Sequence, residues 1–281
     1  MSLPLPSSLS PSKVSAFKDC ALAFRFSAID KLPEPPSPWA AKGTLVHKAL
    51  ELLFTDHPAG ARDRDAAASC LEKAWGILAA DPDIVGLGLD AEEVASFRAD
   101  ASELVDRYLR LEDPNTVHAE GTELMLEARL GGLTVRGIID RLERDADGGL
   151  VVTDYKTGKV PPRSAEQSRL GGVHFYAWLC QEVLGERPAR VQLLYLAEPV
   201  VISTEPTEQS VRGMKARAQA VWTAVERACQ TEDFRPRPSG LCDWCAFRAY
   251  CPAFGGDPRA ARAEAHASLA LGLPTPARVA G

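Results

Sequence analysis

The sequence predicts an α/β fold, a mixed β-sheet flanked by helices. Three observations carry that expectation. Between Val14 and Leu111 apolar residues recur mostly at helical spacing, and from Thr122 to Tyr155 the period falls to two, enough for three strands. A helical stretch from about Ala165 to Leu184 then precedes one more apolar strand, Val191 to Leu196. Strand, crossover helix and strand in that order build a sheet with parallel neighbours.

Each element has a local reason. The opening MSLPLPSSLSPS is polar and Pro-rich and leads into a first helix, with Ser10 or Ser12 as N-cap and Val14, Phe17, Ala21 and Phe24 on one face. Cys20 is expected on this helix. The Pro-rich run from Lys31 to Pro38 ends it, and a second helix covers Ala40 to Phe54, with His47 inside it. After a loop from Asp56 to Asp65, Ala66–Ala79 and Ala91–Leu111 read as further helices, split at Asp81-Pro82 and a Gly-rich turn. These form an expected helical lobe, residues 56–116, between an N-terminal segment (1–55) and the sheet-bearing core (117–235). Glu208–Thr231 is a long amphipathic helix, and Phe234–Gly240 is a Pro-rich loop into a cysteine-bearing segment, 236–256. The tail, 257–281, loses periodicity after Leu273.

With 281 residues, 46% hydrophobic and 25% charged, the chain has the make-up of an ordinary globular protein with a sizeable core. No run approaches a membrane span, and residues 1–20 lack an apolar core behind a basic start, so a cytoplasmic protein with no membrane partner is expected. A net charge of −6 argues against coating nucleic acid non-specifically. It leaves room for a local basic groove beside an acidic metal site. No Walker A pattern is present, so a motor function would need a separate helicase. Nothing in the sequence sets the oligomeric state.

The most informative stretch is GIIDRLERDADGGLVVTDYKTGK, Gly137 to Lys159. Val135–Leu142 is rich in β-branched residues, Asp145–Gly149 supplies a turn, and Leu150–Asp154 is a short apolar strand. Asp140 sits in the first strand. Asp154 and Lys156, two apart, project to the same face of the second. Two carboxylates share a small site cheaply only when a cation neutralises them, and hard oxygen ligands suit Mg²⁺ or Mn²⁺.

An Asp on one strand, Asp-x-Lys closing the next and Thr157-Gly158 behind it resemble the PD-(D/E)XK nuclease superfamily, and the form GIIDRLE…VVTDYKTGK resembles its RecB-type exonuclease branch. The resemblance implies a restriction-endonuclease-like core cleaving DNA at single strands or ends, in repair, recombination or processing. It implies Asp140, Asp154 and the Tyr155 carbonyl as ligands of a catalytic Mn²⁺ or Mg²⁺, and Lys156 beside the attacking water. It adds His47, in Gly43-Thr-Leu-Val-His47, as a metal ligand, which would tilt preference toward Mn²⁺. A solitary helical histidine is otherwise commonly structural. Glu120 or Glu123, entering the first strand, offers an acid behind the ligands, or equally a solvated strand edge. The family's Q-x-x-x-Y helix motif matches at Tyr176, but Gly172 stands where the glutamine belongs. That departure keeps open an alternative: a nuclease-fold DNA-binding or scaffold subunit, weak or inactive in cleavage and partnering a helicase. Lys156, Lys159, Arg163 and Arg169 form a basic stretch where phosphates would pass; Arg212, Lys215 and Arg217 suit a solvated helix face better.

Seven cysteines in a chain of this kind are not expected to form disulfides. Cys242, Cys245 and Cys251 are spaced C-x₂-C-x₅-C, ligand spacing for a soft metal centre that wants a fourth thiolate. The iron–sulfur subset of the resembled nucleases, AddB-like and CRISPR-adaptation enzymes, takes that ligand from an N-terminal cysteine. The resemblance therefore implies a [4Fe–4S] cluster on Cys20, Cys242, Cys245 and Cys251, stapling the two ends of the chain. Zinc is the alternative that spacing alone leaves open. Cys70, Cys180 and Cys229 lack ligand spacing and are expected as small packing residues.

Overall fold

The computed structural model describes residues 2–263, and within them the side chains of all but residues 163–171. The Arg163 and Arg169 side chains and the tail from 264 onward therefore lie outside the described residues. The chain divides into two compact units. One comprises Pro36–Ala128 and Arg136–Lys215; the other, the described parts of Met1–Pro35, Arg129–Val135 and Ala216–Gly281.

The larger unit carries the sheet. Its strands β1 (His118–Leu130), β2 (Leu133–Arg144), β3 (Leu150–Lys156), β4 (Arg190–Tyr195) and β5 (Val200–Thr204) lie in the spatial order β1-β2-β3-β4-β5. β2 and β3 pair antiparallel, β3 and β4 parallel, and β4 and β5 antiparallel, so the sheet is mixed as expected. The parallel step is spanned by helix α7 (Arg163–Val183). β3 is buried from Leu150 to Tyr155, which is what a central strand covered on both faces requires. β5 was not foreseen. Its five residues run Val-Val-Ile-Ser-Thr along a sheet edge, mostly exposed, and carry almost no periodic signal.

Helix α3 (Pro38–Asp56) starts with Ser37 accepting the Ala40 N–H and with proline in the first turn. It buries Leu45, Val46, Ala49, Leu50 and Leu53 in a cluster shared with α4 (Arg64–Leu78), α5 (Pro82–Val85), α6 (Ala91–Leu111), the strand residues Tyr155 and Leu194, and Leu196 just after β4. Asp63, Asp81 and Asp90 cap the three later helices, Asp90 in a reciprocal box with Glu93. The Asp81-Pro82 break is occupied by the short α5.

In the smaller unit, α1 (Pro11–Asp19) is capped by Ser10, whose hydroxyl accepts the Lys13 N–H. Cys20 is not on a continuous helix. It is extended, with φ −159° and ψ 112°, and α2 (Ala21–Phe24) begins after it, followed by a π-helical turn, Arg25–Ile29. The apolar spacing survives this break because Phe17 and Phe24 meet edge to face across it, with centroids 5.2 Å apart. The long helix α8 (Glu208–Thr231) falls where the sequence places it. Its Cys229 is buried, and its carbonyl accepts the Leu3 N–H at 3.0 Å. After Pro252 the chain doubles back so tightly that a β-carbon at Gly256 would stand 2.2 Å from the Ala249 carbonyl oxygen; only glycine fits there.

Candidate active site

Strand register decides which side chains can meet. The β2–β3 register ends at Arg141 paired with Thr153, and Asp140 and Asp154 are the next residues along the two strands. Directly opposed residues of an antiparallel pair share a face, and residues two apart on one strand do as well. Asp140, Asp154 and Lys156 are therefore on one side of the sheet; Arg141, Thr153 and Tyr155 are on the other. Lys156 pairs with Asp154, and Asp140 Oδ2 accepts the Tyr155 N–H at 2.7 Å.

Two further elements deliver to the acidic face groups able to ligate a metal. α3 brings His47, whose Nδ1 lies 3.5 Å from Asp140 Oδ2 and whose Nε2 is 3.1 Å from the Tyr155 carbonyl oxygen. β1 brings Glu123, with Oε1 4.0 Å from His47 Nδ1. One ligand atom each from His47, Glu123 and Asp140 lies within 4.8 Å of the others, a set able to hold a metal ion. The carboxylate donors suit Mn²⁺ or Mg²⁺, and the imidazole tilts the set toward Mn²⁺. Glu123 sits at φ +46°, an unusual conformation for a non-glycine residue within a strand. Such a local distortion re-aims a side chain. Nothing in the local sequence separates Glu123 from Glu120, which instead pairs with Arg144 at 2.8 Å.

Tyr176 on α7 lies within electrostatic reach of Asp154, Asp140 and Glu123 and packs against β2. A β-carbon at Gly137 would lie 3.0 Å from Tyr176 Cε1, so glycine in β2 is what lets the ring lie against the strand. Lys215 pairs with Glu182 at 3.1 Å and Arg212 with Glu208 at 3.2 Å.

The electrostatics follow from crowding like charges in a poorly solvated space. Burial, then the facing Asp154, push the Asp140 carboxyl up to about 7. Burial and Asp140 likewise raise Glu123. Burial lowers His47 below its ordinary value, against the pull of Asp154 and Glu123, and a neutral imidazole is the ligating form. Burial would lower Lys156 too, but Asp154 and Asp140 outweigh it and hold the ammonium above its usual value. The Tyr176 hydroxyl is raised by burial and then by Asp154, Asp140 and Glu123.

Behind β3, Arg141 is wholly buried and fully engaged. It binds Glu112 and Glu143, and donates to Tyr155 Oη at 2.8 Å, Tyr108 Oη at 3.2 Å and Thr153 Oγ1 at 3.3 Å. This network fixes the Tyr155 side chain on one face while its backbone N–H and carbonyl serve the acidic face.

In the smaller unit, Cys20, Cys242, Cys245 and Cys251 line one cavity of about 520 Å³. Burial first, then the other three sulfurs, raise the Cys245 thiol, so Cys20, Cys242 and Cys251 each lie within electrostatic reach of Cys245. The Ser239 N–H donates to Cys242 Sγ at 3.3 Å.

Among the described residues no helix is long and apolar enough to cross a membrane. No curated protein matches the chain. A crystal structure of a candidate exonuclease from Eubacterium rectale superimposes with a TM-score of 0.55 at 12% identity, covering 85% of this chain and 87% of that one; at this identity the likeness speaks to fold alone. The structure of SSO0001 aligns at 16% identity over 75% of this chain and 84% of that one, with a TM-score of only 0.36. The sequence pattern of the PD-(D/E)XK nuclease superfamily matches residues 8–252, a span that contains the sheet, the acidic face and the four cysteines. On that match this chain belongs to the PD-(D/E)XK nuclease superfamily.

Proposed function

We propose that the protein is a divalent-metal-dependent DNA nuclease of RecB-like exonuclease type, acting in the cytoplasm on single strands or DNA ends in repair or processing. The observation that carries this reading is the meeting of His47, Glu123 and Asp140 with the Asp154–Lys156 pair on one sheet face. His47, Glu123, Asp140, Asp154 and the Tyr155 carbonyl are the residues that would hold the ion. When bound, the ion supplies Lewis acidity and lowers the pKa of water at the scissile phosphate. Lys156, kept cationic by its two acidic neighbours, donates toward charge developing on the phosphate oxygens. Tyr176, within electrostatic reach of Asp154, Asp140 and Glu123, is assigned to orienting the substrate strand.

Cleavage of end-labelled single-stranded DNA with Mn²⁺ tests this, with Lys156→Ala as comparison. The variant should lose about 100-fold or more in rate, the usual scale for removing a transition-state donor. Equal cleavage by both proteins would sink the assignment. Gly172, in place of the motif glutamine, favours a second reading: a DNA-binding subunit that cleaves poorly and relies on a partner helicase. Strand binding by wild type without cleavage at any Mn²⁺ or Mg²⁺ concentration would select it.

The four-thiol cavity supports a structural [4Fe–4S] cluster, which takes four cysteine thiolates. Anaerobically purified protein is expected to carry iron and acid-labile sulfide, with a brown absorbance that Cys20→Ser loses along with thermal stability. Zinc in the absence of iron would overturn the cluster.

A further inference from the structure

The acidic face does not end at its ligating residues. His47, Gly43 and Trp39 are spaced i, i+4, i+8 along α3 and so lie along one helix face. All three line a single cavity of about 440 Å³, together with Glu123 and Thr157, a volume in the range of small-molecule sites. Its two ends differ in chemistry. At one end are His47 and Glu123, two of the ligating groups. At the other is the indole of Trp39, 74% exposed. Lys42 covers part of that ring, its Nζ 4.9 Å from the centroid and held by Asp100 at 2.7 Å. The floor between the two ends is low because Gly43 has no side chain; a β-carbon there would come within 3.1 Å of Thr157 Oγ1.

A metal centre selects a phosphate, and an exposed aromatic face beside it selects a flat ring attached to that phosphate. We propose that Trp39 is a stacking platform for a nucleobase of an unpaired DNA strand whose backbone lies at the His47–Glu123–Asp140 centre. The proposal deepens the nuclease reading and rests on it for the choice of ligand. Eight helical residues rise about 12 Å, a span of about three stacked nucleotides, so the stacked base lies a few positions from the phosphate at the centre. In a duplex both faces of each base are already covered by neighbours. Only an unpaired strand can offer a base to the indole, and such stacking is tolerant of sequence.

The test is binding, read separately from cleavage. Fluorescence anisotropy of labelled dT20 and of a 20-base-pair duplex is followed for the full chain with Ca²⁺ in place of Mn²⁺. Trp39→Ala should weaken dT20 binding about 5- to 100-fold and leave duplex binding within about twofold, while Trp39→Phe stays within about threefold of wild type. A dT20 carrying abasic sites should bind wild type and Trp39→Ala alike. Unchanged dT20 affinity in Trp39→Ala, equal losses on both DNAs, or no binding of dT20 by wild type would each overturn the proposal. Normal strand binding with no cleavage in Mn²⁺ would instead count against the nuclease reading and leave the stacking platform in place.

Discussion

Asp140→Asn is expected to make the metal-free protein more stable at pH 8 while removing metal-dependent cleavage. The carboxyl of Asp140 titrates near 3.8 when free and is pushed up to about 7 in the folded chain, first by burial and then by Asp154. The sign follows from proton linkage. Below about pH 4 both folded and unfolded chains hold this proton, and the group has no effect. Between about 4 and 7 the folded chain retains a proton that the unfolded chain has released, so stability falls as pH rises, and the full penalty is present above 7. The shift corresponds to at most about 4 kcal/mol, and on the order of 2 once coupling to Asp154 is allowed for. An asparagine keeps an oxygen for the Tyr155 N–H but carries no charge. Urea unfolding in EDTA should therefore favour the variant at pH 8, by a margin that closes toward pH 4. Adding Mn²⁺ should stabilise the wild type alone. A variant less stable than wild type at pH 8 in EDTA would show that Asp140 is a structural carboxylate.

Arg141→Ala has the largest expected effect on folding, about 3–5 kcal/mol of destabilisation. The guanidinium is 0% exposed and is shared by Glu112, Glu143, Tyr108, Tyr155 and Thr153. Its removal leaves two acids in a poorly solvated space with no cation between them. Breaking such a group costs far more than the group itself contributes. Lysine is a poor substitute, because one ammonium cannot span carboxylates and hydroxyls set around a planar fork. Thermal unfolding of Arg141→Ala and Arg141→Lys checks this; a change in Tm of only a degree or two in either would mean the network is dispensable.

The contrast between these two neighbours shows what the sequence can and cannot disclose. Asp140, Asp154 and Lys156 were legible because a period of two and a tight turn fix their common face from within one hairpin. Arg141 looked like an ordinary strand residue. Its partners Tyr108 and Glu112 come from α6 and the residue just after it, about thirty positions earlier, and no local pattern announces that contact. Glu123 was legible only as one of two candidate acids, because its selection depends on a local φ of +46°. The extended Cys20 was hidden by apolar spacing that runs through it unbroken. Trp39 directly follows the Pro-rich run that ends at Pro38, in the first turn of α3, and its exposure beside the acidic face depends on where α3 docks.

Mn²⁺ uptake by the EDTA-treated protein at pH 8 tests the ion-binding face most directly. Loss of the free-ion paramagnetic resonance signal should reveal a saturable site in the wild type, weakened at least about tenfold in Asp140→Asn and in Glu123→Gln. Uptake equal in all three proteins, or none in the wild type, would contradict a divalent ion held by His47, Glu123 and Asp140.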